Sequence, residues 1–244
     1  MILTIDIGNT RVKCAVFEHF KLLKTTTCQK QDFIKSIQNL LNNYSTIKDT
    51  IISSVGNIAE NDLIALKKIV NIIFIDTNTK LPFDNLYTTP KTLGIDRMVL
   101  AAGAVYQFPL KNRLIIDAGT CVTYDFVNSK NQYLGGAISP GLQLRYASLH
   151  NYTAKLPLLS ITNPDHTIGN STMQAMHSGV VNGLLHEING FINEFEAENL
   201  NFIIILTGGD AEFLAKRLKN TIFANCNFLL ESLNLIYQHT NQND

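Results

Sequence analysis

Acidic and glycine residues near the N-terminus are spaced as a metal–phosphate site would need. Asp6 lies within the β-branched run 2–7, which predicts a buried strand, and a carboxylate there is costly unless something binds it. Gly8 follows, where the backbone can turn tightly and leave its N–H groups free. The carboxylate can hold Mg²⁺ or its waters, the turn can bind phosphate, and Lys13 beyond the turn can offset charge. Taken alone, these residues also fit an ordinary hairpin with a polar turn.

The same pattern recurs about half a chain later. Asp117 and Gly119 repeat the spacing of Asp6 and Gly8, again at the end of an apolar run. Such a repeat indicates two duplicated halves that face one nucleotide. A third buried run leads into the glycine-rich segment 207–209, whose backbone can closely approach a flat ligand face or a phosphate.

A further candidate is the segment Gly94-Ile95-Asp96-Arg97, which opens an otherwise apolar helix. In the structural alternative, Asp96 is a partner of the helix dipole and Arg97 is solvated. Spacing alone leaves that alternative about even with a functional role.

The predicted elements form an α/β protein with two similar halves. The first half is predicted as β-β-β-α-β-α-β, a mixed sheet with helices on it. Strands predicted at 113–117, 121–127 and 132–138 mirror the first three strands. We therefore predict an N-terminal half at residues 1–111 and a C-terminal half at residues 112–244.

One long helix is predicted at residues 170–195. Gly179 and Gly183 lie one turn apart on it, and because glycine lowers helix stability, their expected use is close backbone packing. The sequence leaves open whether this packing is internal or between subunits.

Composition excludes several partners. The 244 residues include 20 Lys and Arg against 20 Asp and Glu, so the net charge is zero, which argues against nucleic acid or an anionic membrane as partner. The four cysteines show no CxxC pairing, which favours a reduced, cytoplasmic protein. Asp6 interrupts the first apolar run, so we expect neither a signal peptide nor a membrane span there.

Together these motifs resemble the type III pantothenate kinases of the acetate kinase/sugar kinase/heat-shock protein 70/actin superfamily. The matching segments, in the family's order, are 6–13, 94–97, 117–123, 138–141 and 207–209. The resemblance implies two ribonuclease-H-like halves with a nucleotide cleft between them, and a homodimer. It also implies transfer of the γ-phosphate of ATP to the terminal hydroxyl of pantothenate, giving 4′-phosphopantothenate, the first step toward coenzyme A.

The resemblance also assigns roles to residues. The ATP site would comprise Asp6, Ile7, Gly8, Asn9, Thr10, Arg11, Val12, Lys13 and Thr120. The pantothenate site would comprise Tyr87, Gly94, Ile95, Asp96, Arg97 and Thr172. Asp96 would be the catalytic proton acceptor, Asp117 would bind a monovalent cation (K⁺ or NH₄⁺), and Asp6 would hold Mg²⁺ directly or through water. Segment 207–209 would lie by the adenosine. Cys121-Val122 departs from the smaller residues expected after Thr120, which would alter nucleotide packing.

Two other functions stay open at this point. Some proteins similar to this family are described as accessory transcriptional activators, so a non-catalytic, partner-binding protein of the same fold is one alternative. A kinase for another small hydroxyl substrate, such as a sugar, is the other. ATP consumption measured with pantothenate and with sugars separates the three.

Overall fold

Two sheets with the same strand order organise the chain. The computed structural model describes residues 1–54, 60–198, 201–220 and 222–241. The first sheet has the order β3-β2-β1-β4-β5. Its strands are β1 (Ile2–Ile7), β2 (Val12–Glu18), β3 (Lys21–Cys28), β4 (Asp49–Ser54) and β5 (Asn71–Phe74). β1 and β3 lie antiparallel to β2, whereas β4 lies parallel to β1 and β5 parallel to β4.

The second sheet repeats this order as β9-β8-β7-β10-β11. Its strands are β7 (Asn112–Ala118), β8 (Cys121–Val127), β9 (Gln132–Pro140), β10 (Phe202–Thr207) and β11 (Ile222–Ala224). β8 is again antiparallel to β7, and β10 is again parallel to it. The short strand β6 (Asp84–Asn85) pairs with the first residues of β9. The predicted duplication of a mixed α/β half is therefore confirmed.

Helices cover these sheets. They are α1 (Phe33–Asn43), α2 (Glu60–Lys67), α3 (Ile95–Gln107), α4 (Leu142–Asn151), α5 (Thr172–His177), α6 (Gly183–Glu198), α7 (Ala211–Ala215) and α8 (Phe228–Asn241). Within the described ranges, none is both long and apolar enough to cross a membrane.

The chain divides into two compact units. The first contains the described parts of 1–110 together with 130–133 and 227–241, and the second contains those of 111–129 and 134–226. The prediction placed the boundary at 111/112 and gave α8 to the C-terminal half, whereas α8 lies in the first unit. Its apolar residues Leu233 and Ile236 are buried in one cluster with Ile2, Ile51 and Val99.

Strand β1 is buried on both faces, which explains its continuous apolar run. Leu3 and Ile5 alternate toward a cluster that includes Ile37 of α1. Ile2 points to the opposite face, toward the cluster formed with α3 and α8. Asp6 has the same parity as Ile2 along the strand, so its side chain lies on the α3 face.

The predicted helix at 170–195 is interrupted. The chain forms α5, a π-helical turn at Ser178–Asn182 and then α6. Ser171 begins α5 by accepting a hydrogen bond from the Gln174 N–H at 3.3 Å. Ser178, the first residue of the π turn, donates its hydroxyl to the carbonyl of Thr167 in the preceding loop. A side-chain hydrogen bond of this kind leaves no trace in the hydrophobic periodicity from which the helix was predicted.

Candidate active site

The first carboxylate lies where three strands of the first sheet meet. Asp6 is opposite Lys13 on β2 and opposite Ser53 on β4. The Ser53 hydroxyl donates to Asp6 Oδ1 at 3.1 Å. Only 8% of the Asp6 surface is exposed. The sequence predicted a buried acid with a nearby lysine, and the structure adds a serine partner from a strand that carried no motif.

Burial makes the ionised form of Asp6 less favourable than it is in water. Burial raises the pKa of Asp6 to about 6, against the opposing effects of Lys13 and of the Ser53 hydrogen bond. The charge of Asp96 raises the pKa of Asp6 further. Two carboxylates are thus close enough to interact, which is an arrangement that a bound cation relieves.

The turn after β1 is tighter than predicted. Gly8 donates its N–H to the Arg11 carbonyl at 3.1 Å, so the expectation that this N–H is free is wrong. The register Ile7 to Val12 closes the hairpin and leaves Asn9, Thr10 and Arg11 exposed at its end.

The segment at the start of α3 holds Asp96 by a close backbone contact. Gly94 is the residue before the helix, and Asp96 Oδ1 accepts the Arg97 N–H at 2.8 Å. A Cβ added at Gly94 would lie 2.4 Å from that same Oδ1. The carboxylate is therefore folded back over Gly94, in a position that any side chain at residue 94 would displace.

Arg97 is buried, so the alternative in which it is solvated is wrong. It is 5% exposed, and its guanidinium carbon lies 5.8 Å from the centre of the Tyr87 ring. Tyr87 in turn packs edge-on against Tyr133 at 6.1 Å. The first unit therefore brings together the predicted residues Tyr87, Arg97 and Asp96, with Asp96 close enough to Asp6 to affect it electrostatically.

The second unit repeats the arrangement around Asp117. This residue lies opposite Thr123 on β8 and opposite Thr207 on β10, the positions equivalent to Lys13 and Ser53. Asp117 is half-buried. A threonine thus stands opposite Asp117 where the first unit has Lys13 opposite Asp6.

Gly208 closes over Asp117. Its φ of +95° is one that residues with a side chain rarely adopt, and a Cβ there would lie 2.4 Å from Asp117 Oδ1 and 2.3 Å from the Ala118 carbonyl oxygen. The glycine predicted to let a backbone approach closely thus approaches the carboxylate of its own unit.

The loop that carries Thr120 is held by its neighbours. Gly119 donates its N–H to the Cys121 carbonyl at 2.9 Å, and Gly141 donates its N–H to the Thr120 carbonyl at 3.0 Å. Thr120 itself is exposed at the end of the sheet. Its position is available to a ligand, while its backbone is fixed.

The residues present fit the cations that the resemblance implies. The Thr123 hydroxyl oxygen is buried and has no hydrogen-bond partner in the part of the chain that the structure describes. Thr123 lies directly opposite Asp117 in the β7–β8 pair, so a cation that binds oxygen ligands could contact both the Thr123 hydroxyl and the Asp117 carboxylate. The Asp6 carboxylate likewise provides an oxygen ligand of the kind that Mg²⁺ prefers.

Thr172 lies at a groove of the second unit. It is exposed at the start of α5 and borders a groove of about 650 Å³ in the second unit, with Arg145, Leu149 and Met176 among the lining residues. Neither Asp117 nor Thr120 lines this groove. Ser53 was not singled out from the sequence, and Thr123 was included only as the last residue of the second motif, without a role.

Comparison with known proteins identifies the family of the chain. The profile of one family, described as type III pantothenate kinase, matches residues 2–194. A type III pantothenate kinase from Flavobacterium johnsoniae is 57% identical over 244 residues, which is 100% of both chains.

Solved structures share the fold. A conserved protein from Campylobacter jejuni, assigned to the Baf family of transcriptional activators, superimposes with a TM-score of 0.66 at 22% identity, over 98% of this chain and 99% of that one. The activator of 2-hydroxyisocaproyl-CoA dehydratase from Clostridium difficile, solved with bound ADPNP, does so with a TM-score of 0.60 at 10% identity, over 99% and 96%. At these identities the two structures support the fold alone, whereas the sequence matches identify the family. The chain belongs to the type III pantothenate kinase family.

Proposed function

We propose that Asp96 is the proton acceptor in the reaction of this pantothenate kinase. The activity follows from family membership: the enzyme transfers the γ-phosphate of ATP to pantothenate, the first step of coenzyme A biosynthesis. The pantothenate hydroxyl oxygen forms a bond to the γ-phosphorus, the bond from that phosphorus to the ADP oxygen breaks, and Asp96 takes the hydroxyl proton.

The position of Asp96 near Asp6 is the observation that carries this proposal. Asp96 is close enough to Asp6 to act on it electrostatically, so a hydroxyl bound at Asp96 would lie near a phosphate held by Lys13 and by Mg²⁺ on Asp6. Gly94 leaves the space that the Asp96 carboxylate occupies, and Arg97 and Tyr87 lie beside it as contacts for the substrate.

The nucleotide is assigned to the loop at residues 8–11, to Lys13 and to Thr120. Phosphoryl transfer needs positioned groups that offset phosphate charge more than it needs covalent help. Lys13 supplies a positive charge beside Asp6, and Asp6 would hold Mg²⁺, which neutralises phosphate charge when bound. Asp117 and Thr123 would hold a monovalent cation, which adds to that neutralisation.

We also propose a homodimer formed through the face of α5 and the π turn. A Cβ at Gly179 or Gly183 would meet nothing within 4 Å in the described chain, so these glycines are not explained by internal packing. Met173 of α5 is 53% exposed, and the groove that Gly179 lines is also lined by Leu149 and Met176. A second copy would cover these apolar surfaces, and closed two-fold dimers are the commonest assembly.

Family membership favours pantothenate over the two alternatives considered, a sugar and a non-catalytic partner role. A cytoplasmic location is proposed because all four cysteines are free thiols and the reaction uses ATP.

The test is ADP release from the purified chain with Mg·ATP and pantothenate, compared with glucose or N-acetylmannosamine in place of pantothenate. We expect ADP release only with pantothenate. Release with a sugar alone, or with no acceptor preference, would refute the assignment.

A further inference from the structure

Behind the Thr120 loop lies a network of side chains that the proposed mechanism does not use. It begins at the turn Ser139-Pro140-Gly141, where β9 ends and α4 follows. The Gly141 N–H donates to the Thr120 carbonyl, and a Cβ at Gly141 would lie 2.1 Å from the Gly119 carbonyl oxygen. The turn therefore packs directly on the backbone of the loop, and a shift of one moves the other.

A single guanidinium holds this turn. Arg145 Nε donates to the Pro140 carbonyl at 2.8 Å, and Arg145 Nη2 donates to Ser139 Oγ at 2.9 Å. The rigid fork of an arginine can make these contacts together, whereas a lysine ammonium cannot reproduce that geometry.

Glu187 of α6 fixes the guanidinium in turn. Its Oε2 accepts a hydrogen bond and ion pair from Arg145 Nη2, and its Oε1 accepts the Tyr124 hydroxyl at 2.8 Å. Tyr124 is fully buried in β8. Burial raises the pKa of Glu187, but the hydrogen bonds from Arg145, Tyr124 and Ser139 outweigh it, so the pKa is lowered and the carboxylate is charged at neutral pH.

We propose that Glu187 and Arg145 are positioning residues that hold the Gly119–Thr120 loop in its phosphate-binding position. Both act through residues 139–141; Arg145 also lines the groove that Thr172 borders, whereas Glu187 does not, so the test is made at Glu187. The inference rests on the proposed role of Thr120 as a nucleotide contact. It predicts that breaking the network weakens nucleotide binding selectively, because pantothenate is assigned to residues of the first unit and to Thr172.

The test compares Glu187→Ala with Glu194→Ala, an exposed glutamate on the same helix. We expect Glu187→Ala to lower kcat/KM for ATP by about 10- to 100-fold, as small displacements of binding groups do, with the KM for pantothenate within about twofold of wild type. Glu187→Gln, which keeps one oxygen acceptor for either Arg145 or Tyr124, should recover part of the loss. Glu194→Ala should match wild type.

Direct binding separates this inference from the proposed function. The Kd for Mg·ADPNP, measured by calorimetry without pantothenate, should rise in Glu187→Ala in parallel with KM for ATP. If wild type binds Mg·ADPNP but does not phosphorylate pantothenate, the function fails while the network is still tested by this Kd. If Glu187→Ala does not fold, Ser139→Ala, which removes one turn contact, decides by the same Kd. A folded variant with unchanged Kd, or with equal changes in both KM values, overturns the inference.

Discussion

Replacing Asp6 by asparagine should stabilise the protein while removing its activity. The pKa of Asp6 is raised from 3.8 to about 6 in the folded chain, with burial as the largest cause. A pKa difference of this size corresponds to about 3 kcal/mol, because one pKa step is worth about 1.4 kcal/mol. The asparagine would keep an oxygen that accepts the Ser53 hydroxyl but would bury no charge. Asp6→Asn should therefore gain about 3 kcal/mol in unfolding free energy at pH 8.

The pH dependence of this gain has a definite sign. Well below pH 3.8, Asp6 is protonated in both the folded and unfolded chains, so the substitution should be nearly neutral there, and at pH 4 only a small part of the gain should be present. As pH rises from about 4 to 6, the unfolded chain loses its proton first, and wild-type stability falls relative to the variant. Above about pH 6 the gain should reach its full value and stay constant.

The assay is urea unfolding at pH 4 and pH 8 without nucleotide or divalent cation. Asp49→Asn is the matched control, because hydrogen bonds from Tyr237 and Asn71 lower the pKa of Asp49 and its substitution should destabilise the protein at pH 8. An Asp6→Asn variant that is no more stable than wild type at pH 8 would refute the view that Asp6 is held at an energetic cost for a ligand.

Three further predictions follow from the site. Gly94→Ala should displace the Asp96 carboxylate and lower kcat by about tenfold or more at an unchanged melting temperature; a folded variant with wild-type kcat would contradict the close contact between residues 94 and 96. At matched ionic strength the rate should be several-fold lower in Na⁺ than in K⁺ or NH₄⁺, and Thr123→Val should weaken the apparent K⁺ affinity; equal rates in the three salts would exclude the cation at Asp117. Light scattering should show a species of twice the 27.2 kDa chain mass, reduced to monomer by Gly179→Arg but not by Gly190→Arg on the far part of the same helical run; a monomeric wild type would exclude the dimer.

The sheets were predictable because their strands are runs of β-branched residues that end in turn signals. The three strands that begin the second half were placed within two residues of their observed ends, as the duplicated motif required. Strands β6 and β11 were missed because two or three residues carry no periodicity. Helix α8 was assigned to the wrong half because chain order says nothing of which apolar surface a terminal helix covers.

At the site, the motifs predicted which residues to consider but not how they are held. Burial of Arg97 depends on the Tyr87 ring, which comes from a loop outside its helix. Ser53 meets Asp6 only because β4 pairs in parallel with β1, a contact between strands far apart in sequence. The Gly8 N–H was expected to be free because a turn sequence does not reveal which carbonyl closes the turn.

The most direct test of the central claim is kcat for Asp96→Asn at saturating Mg·ATP and pantothenate, with 4′-phosphopantothenate identified as the product of the wild-type reaction. Asparagine keeps the shape and loses the base, so kcat should fall by about 10²–10⁴-fold while the Kd for Mg·ADPNP changes little. If Asp96 only stabilised the first turn of α3, its replacement by asparagine would change kcat little, because asparagine also stabilises the start of a helix. A folded Asp96→Asn variant that retains more than about a third of wild-type kcat would contradict the account, because general-base catalysis contributes far more than that.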